Sequence, residues 1–165
     1  MLLEQLNDAA RADVATALRP CIDIQRWIDD ISAARPFASL DALFQCALTA
    51  ADPFTPGEID AAMAHHPRIG ERAAGSSAEA ELSRREQAAV DPADHDVITA
   101  LAEGNRDYEA KFDQVFLIRA AGRTPQEILD ALHRRLENTA EQEQLIVAQQ
   151  LREIALLRLK GVMSA

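Results

Sequence analysis

A chain of 165 residues is the length of one domain, and its formal net charge of −10 argues against non-specific nucleic-acid binding and against anionic membrane surfaces. Hydrophobic residues at 48% and charged residues at 27% are globular proportions, while aromatics at only 4% leave the core to aliphatic side chains and alanine, which favours closely set helices. Any anionic substrate has to be held by local arginines against the overall field.

Leu2, Leu3, Leu6, Ala10, Val14 and Leu18 recur at helical spacing, and Pro20 closes that first predicted helix. A second is expected from about Cys21 to Ala34, with Ile24, Trp27, Ile28 and Ile31 on one face, and Pro36 stops it. Ser39 is placed to N-cap a third that carries Leu40, Leu43, Phe44, Ala47 and Leu48. Thr55-Pro56-Gly57-Glu58 is a capping box with proline at the first helical position, and the helix it opens runs through Ile59 and Met63 into His65 and His66. Pro67 disfavours α conformation at His66, so that histidine is expected just past the helix end in extended geometry.

Arg68 to Ser77 is the most loop-like stretch, and a helix is expected from about Ser77 to Val90. Asp91-Pro92 then begins another, whose line of Val97, Leu101, Gly104, Tyr108 and Phe112 keeps helical spacing. Val115-Phe116-Leu117-Ile118 is the one run with strand character, too short and isolated to imply a sheet. Thr124-Pro125-Gln126-Glu127 repeats the capping box ahead of Ile128, Leu129, Leu132 and Leu136. Asn138 or Thr139 caps a last helix expected to end near Lys160, before Gly161. The expectation is an all-α single domain of seven or eight helices, covering residues 1–165.

Cys21 and Cys46 lie on different predicted helices and form no CxxC motif, the pattern of reduced, small buried hydrophobes. No apolar run reaches about 18 residues, the first residues lack a signal-peptide pattern, and the chain closes on Met163-Ser164-Ala165 rather than a peroxisomal SKL signal. A soluble cytoplasmic protein with no membrane partner is expected.

His66 is the first candidate for chemistry. An imidazolium at a helix C-terminus is favoured by the dipole, so a capping role is physically sensible and, read locally, the plainer one. The alternative is a general acid or base, since histidine titrates near neutrality. His65 must point elsewhere. With His95 and His133 it makes an imaginable zinc set, but no HxH or HExxH spacing supports a metal site.

Ser76-Ser77-Ala78-Glu79 and Ser83-Arg84-Arg85-Glu86 both fit a capping box and cannot both start one helix. If Ser77 starts it, Ser83, Glu86 and Gln87 share a face by i, i+3, i+4 spacing. They can then present a hydroxyl, a carboxylate and an amide to one ligand, or simply form a solvated face. Arg158 continues the apolar stripe of Leu151, Ile154 and Ala155, which suits either snorkelling or a guanidinium forked onto a carboxylate. Arg119, ending the apolar run after Ile118, raises the same question. Gly122 gives the following loop freedom, so backbone amides from Phe116 to Ala121 are candidates to face a ligand.

His66-Pro67-Arg68-Ile69-Gly70, Ser83-x-x-Glu86-Gln87, Asn105-x-x-Tyr108-x-x-Lys111-Phe112, Phe116-Leu117-Ile118-Arg119-Ala120-x-Gly122 and Glu153-Ile154-Ala155-x-x-Arg158-Leu159 occur in that order. Each motif alone is weak, but the ordered set resembles the 2-oxo-4-hydroxy-4-carboxy-5-ureidoimidazoline (OHCU) decarboxylase family of urate catabolism. The resemblance spans essentially the whole chain. It implies an all-α fold and a decarboxylation that needs no cofactor and yields (S)-allantoin from a small-molecule substrate.

By the same resemblance His66 is the catalytic acid/base beside Pro67 at the pocket wall. Ser83, Glu86 and Gln87 contact the substrate, with Glu86 orienting the reacting centre. Phe116, Leu117, Ile118, Arg119 and Ala120 line the ring with backbone polar groups, and Arg158 binds substrate oxygens. Homodimerisation is likewise an implication of the family alone. The chain departs from the pattern at Asp113, where glycine is expected, and at Arg119, where a small or neutral residue is expected. Two other classes stay open at this point: a non-enzymatic helical interaction module, in which these residues scatter, and a metal-dependent hydrolase.

Overall fold

A computed structural model describes residues 1–71, 75–88 and 94–164. Within them the elements are α1 (Leu3–Asp8), α2 (Arg11–Leu18), α3 (Gln25–Ala33), α4 (Leu40–Thr49), α5 (Pro56–Met63), α6 (Ala78–Glu86), α7 (His95–Phe112), α8 (Pro125–Leu136) and α9 (Ala140–Ser164). The all-α expectation holds, with nine helices and no strand among the described residues. They group into two compact units, one of Met1–Ala62 with Arg152–Ala165 and the other of Met63–Leu151.

In the first unit the predicted opening helix is two helices. Ala9 and Ala10 take extended backbone, with ψ of 147° and 150°. The break is held by a distant residue: the Arg35 guanidinium donates to the carbonyls of Leu6 at 2.6 Å and Ala9 at 2.8 Å, groups left over where α1 stops. The second predicted helix starts late for a related reason. Cys21 N–H closes a turn onto Leu18 O, Ile24 is extended, and the helix begins at Gln25. Its expected apolar face is buried as Ile24, Trp27, Ile28 and Ile31, and the Trp27 indole N–H donates to Ala47 O at 2.8 Å. Ser39 caps α4 through the Ala42 amide.

The box ahead of α5 forms as its spacing dictates. Thr55 N–H donates to Glu58 Oε2 at 2.8 Å and Glu58 N–H to Thr55 Oγ1 at 3.2 Å. The Arg26 fork on Glu58, together with that Thr55 amide, holds its carboxyl down at about 2, so the box keeps its charge. At the other end of the chain, α9 runs through Gly161 to Ser164 and does not stop near Lys160. Burial of Leu159 and Met163, one turn apart on the same face, outweighs a single exposed glycine.

In the second unit α7 packs on α8 around a core of Ile69, Leu101, Tyr108, Phe116, Ile118, Ala120, Ile128, Leu129, Ala131 and Leu132. The approach is close enough at Gly104 that a Cβ there would sit 2.5 Å from Leu132 Cδ2. Asp94 caps α7 through the Asp96 and Val97 amides, whereas the expected start at Asp91-Pro92, and Val90 before it, lie outside the described residues. Thr124 and Glu127 form the second predicted box, and Thr139, not Asn138, caps α9 by exchanging bonds with Gln142.

Helix α7 ends on Asp113 at φ 54° and ψ 36°, a left-handed residue whose N–H bonds to Glu109 O. That is the conformation glycine takes without a Cβ penalty, so the family's expected glycine and this aspartate do the same backbone work. Replacing Asp113 with glycine is expected to stabilise the fold by about 0.5–1 kcal/mol, read as a higher denaturation midpoint at unchanged slope.

Candidate active site

His66 follows the last turn of α5, and its N–H donates to Met63 O at 3.1 Å, closing the helix before Pro67. The next four residues are each tied down. Arg68 forks onto Glu109, with Nε 2.5 Å from Oε1 and Nη2 3.2 Å from Oε2. Ile69 is buried in the core, and its carbonyl accepts from Asn105 Nδ2 at 3.0 Å. Gly70, at φ 90°, donates its N–H to Gln87 Oε1 at 3.0 Å, and Glu71 N–H closes a turn onto Arg68 O. His66 and Pro67 are half-buried at the head of this loop. His65 is exposed and turned to Glu79, with Nδ1 3.6 Å from Oε2.

Asn105 is oriented by its donor bond, since only the amide nitrogen can serve a carbonyl. Its Oδ1 is buried and has no hydrogen-bond partner among the described residues. A cavity of about 290 Å³ lies alongside, lined by Arg68–Glu71 of the loop and by Ile98, Leu101, Ala102, Asn105, Arg106 and Glu109 of α7. None of the residues singled out from sequence for direct substrate contact lines it.

Ser77 caps α6 by accepting from the Ala80 amide, one residue later than the Ser76–Glu79 spacing puts the cap, and Ser83 and Glu86 lie inside the helix. Ser83 is 4% exposed and Glu86 and Gln87 are half-buried, so this face turns inward and is not simply solvated. The Gly70–Gln87 bond joins the His66 loop to the end of α6 that carries Glu86.

Segment 115–120 is non-helical and pairs with no strand among the described residues. Phe116, Ile118 and Ala120 enter the same core as Ile69 while Leu117 does not, the period-two alternation of extended chain. Leu117 O accepts from Arg135 Nη1 at 2.6 Å, and Arg119 N–H donates to Gln150 Oε1 at 2.9 Å. Arg119 O accepts from Arg123 Nε at 2.9 Å. Ile118 is 5% exposed, yet its backbone N–H and C=O make no hydrogen bond among the described residues. Arg119 itself is half-buried.

Behind this segment sits a buried polar cluster that the sequence reading passed over. Glu143, 0% exposed, accepts from Tyr108 Oη at 2.5 Å, Arg135 Nε at 2.7 Å and Asn138 Nδ2 at 3.1 Å. Arg135 Nη2 also approaches Glu143 Oε1 to 2.5 Å, but off the hydrogen-bond direction, so Nε carries the directed bond. The Arg135 guanidinium lies 4.5 Å from the Phe116 ring centroid. Burial, and then the Glu143 carboxylate, push the Tyr108 hydroxyl up, so it stays a protonated donor. The signal was present: Glu143 and Gln150 fall on the Val147, Leu151, Ile154 stripe, and Arg135 on the Ile128, Leu132 stripe, just as Arg158 does.

In the first unit Arg158 is 5% exposed, and its Nη1 donates to Pro20 O at 3.1 Å, so it is a buried arginine and not a snorkelling one. Among the described residues no three His, Cys, Asp or Glu side chains gather as a metal site, and no helix is long and apolar enough to cross a membrane.

Known proteins resemble this chain over most of its length. The uric acid degradation bifunctional protein of Bacillus sp. (strain TB-90) is 23% identical over 165 residues, 98% of this chain, and the chain spans 32% of that protein's length. A crystal structure of OHCU decarboxylase in the presence of (S)-allantoin is 27% identical, with 88% of this chain and 95% of that one covered at a TM-score of 0.67. A crystal structure of (S)-allantoin synthase shares the fold at a TM-score of 0.70, with 15% identity over 99% of this chain and 54% of that one. A family profile described as OHCU decarboxylase matches residues 7–160, nearly the whole chain, and the chain therefore belongs to the OHCU decarboxylase family.

Proposed function

We propose that this chain decarboxylates OHCU to (S)-allantoin without a cofactor, using His66 as general acid/base and Glu86 to orient the reacting centre. The observation that carries the reading is the loop behind His66, tied down at Arg68, Ile69, Gly70 and Glu71. A stereospecific proton donor has to be held within hydrogen-bond reach of one face of its carbon, and a rigid loop supplies that.

In this mechanism the bond between the carboxylate and the hydroxyl-bearing ring carbon breaks, and its electron pair forms a double bond to the neighbouring carbon. The pair of the C=N bond moves onto nitrogen, which takes a proton. The substrate is its own electron sink, so the protein supplies orientation and charge placement. The hydroxyl then gives up its proton and becomes a carbonyl, aligned by Glu86. His66 delivers a proton to one face of the neighbouring carbon, fixing its handedness. One proton is consumed and CO2 leaves.

Pro67 walls the site, and Ser83 and Gln87 contact the substrate through hydroxyl and amide. Phe116, Leu117, Ile118, Arg119 and Ala120 supply the backbone surface for the ring. Ile118 supports this division, because a buried N–H and C=O that no described residue bonds call for a partner. A cytoplasmic setting and a homodimer complete the proposal on family grounds. The test is to supply freshly generated OHCU and follow circular dichroism. Accumulation of the (S) enantiomer faster than the spontaneous reaction is expected, and optically inactive product at the uncatalysed rate would refute the proposal.

A further inference from the structure

We infer that Arg135 and Gln150, with Glu143 and Tyr108 behind Arg135, are positioning residues that set the backbone of segment 116–120 for substrate. The inference rests on the decarboxylase reading and deepens it.

In extended chain the polar groups of residues i and i+2 lie on one edge and those of i+1 on the other. Arg135 takes Leu117 O at 2.6 Å, and Gln150 takes Arg119 N–H at 2.9 Å. Both anchors therefore hold one edge, and the N–H and C=O of Ile118 face the opposite one, where no described residue bonds them. With no neighbouring strand among the described residues to set its register, the segment is held by these two side chains and by Arg123 from the turn that follows. The register matters because a one-residue slip would exchange the edges.

Arg135 can act as an anchor only if it is itself fixed. Glu143 does this through Nε, and Tyr108 and Asn138 bond the same carboxylate, so the guanidinium is held at a single orientation inside the core. The Phe116 ring beneath the guanidinium adds a second constraint on the same segment. Lysine in place of Arg135 has no planar fork, so it would have to meet Glu143 and Leu117 O from one nitrogen and loses the fixed spacing of the two bonds. The cluster makes no contact with substrate in this account and acts through the backbone it holds.

The test compares the full chain with its Gln150→Leu and Arg135→Lys variants at a temperature where each is folded. Two readings are taken: steady-state turnover of OHCU, and hydrogen exchange of the Ile118 amide with and without (S)-allantoin. The expected result is a loss in kcat/KM of roughly ten- to a hundredfold in either variant, as for a binding surface displaced by about an ångström. In the wild type, (S)-allantoin slows exchange at Ile118, and in the variants that protection is lost. A purely structural cluster would change the melting temperature and leave this protection in place.

Gln150→Leu keeps the side chain's bulk and removes one acceptor, so it stays informative where Arg135→Lys fails to fold. Wild-type turnover with undiminished kcat/KM and intact Ile118 protection in the folded variants would overturn the inference alone. Absence of wild-type turnover would overturn the decarboxylase reading and this inference with it.

Discussion

Replacing His66 with asparagine is expected to lower OHCU turnover by about a hundred- to ten-thousandfold, the usual worth of a positioned general acid or base. Asparagine keeps a polar side chain at the junction and disturbs the loop little, because the ties at Arg68, Ile69, Gly70 and Glu71 involve other atoms. The folded variant should melt close to the wild type while (S)-allantoin formation, followed by circular dichroism, falls to near the spontaneous rate. If His66 only capped α5, the result would be reversed: turnover intact, and stability lower by about 0.3–1 kcal/mol while the imidazole is protonated. Unchanged stereospecific turnover in folded protein removes His66 from the mechanism.

Arg135→Ala is expected to have the largest effect on stability. Glu143 is 0% exposed, and without the guanidinium its carboxylate is left buried with only the Tyr108 hydroxyl and Asn138 amide as donors. Removing one partner of a buried ion pair costs about 3–5 kcal/mol, which for a chain of this size lowers the melting temperature by roughly 6–20 °C. The measurement is thermal and denaturant unfolding of wild type, Arg135→Ala and the double variant Arg135→Met/Glu143→Leu. The double variant removes both charges and should regain much of the stability. It should not regain activity, because Leu117 O still lacks its anchor. A single variant as stable as the wild type would show that water reaches Glu143 and that the pair is not a buried one.

The motif Asn105-x-x-Tyr108-x-x-Lys111 was legible as a pattern and silent about its work. In the structure Asn105 holds the Ile69 carbonyl, Tyr108 holds Glu143, and Lys111 holds the carbonyl of Leu136, the last residue of α8, at 2.5 Å. These residues support others from behind, so their spacing along α7 records a helix face and nothing of what lies opposite. Glu143 and Gln150 were overlooked because a polar residue on an apolar stripe has no meaning until its partner is known. Arg158 carried the same signal and stood out on its stripe, but the stripe could not say that its partner is Pro20 O.

What the sequence by itself determined was whatever is satisfied within a few residues. The Thr55–Glu58, Ser77 and Thr124–Glu127 caps, the proline stop before Arg68 and the apolar faces of α3 and α7 all close over three or four positions. Helix propensity and capping act at that range, so reading them needs no partner from elsewhere. Tertiary structure decided the break between α1 and α2, where Arg35 reaches back to Leu6 and Ala9, and the run of α9 through Gly161, where burial of Met163 prevails. It also decided which edge of segment 116–120 is anchored, through Leu117 O and Arg119 N–H. Those outcomes depend on burial and on hydrogen bonds between residues some 18 to 31 positions apart, and no local pattern encodes which of several polar side chains will arrive.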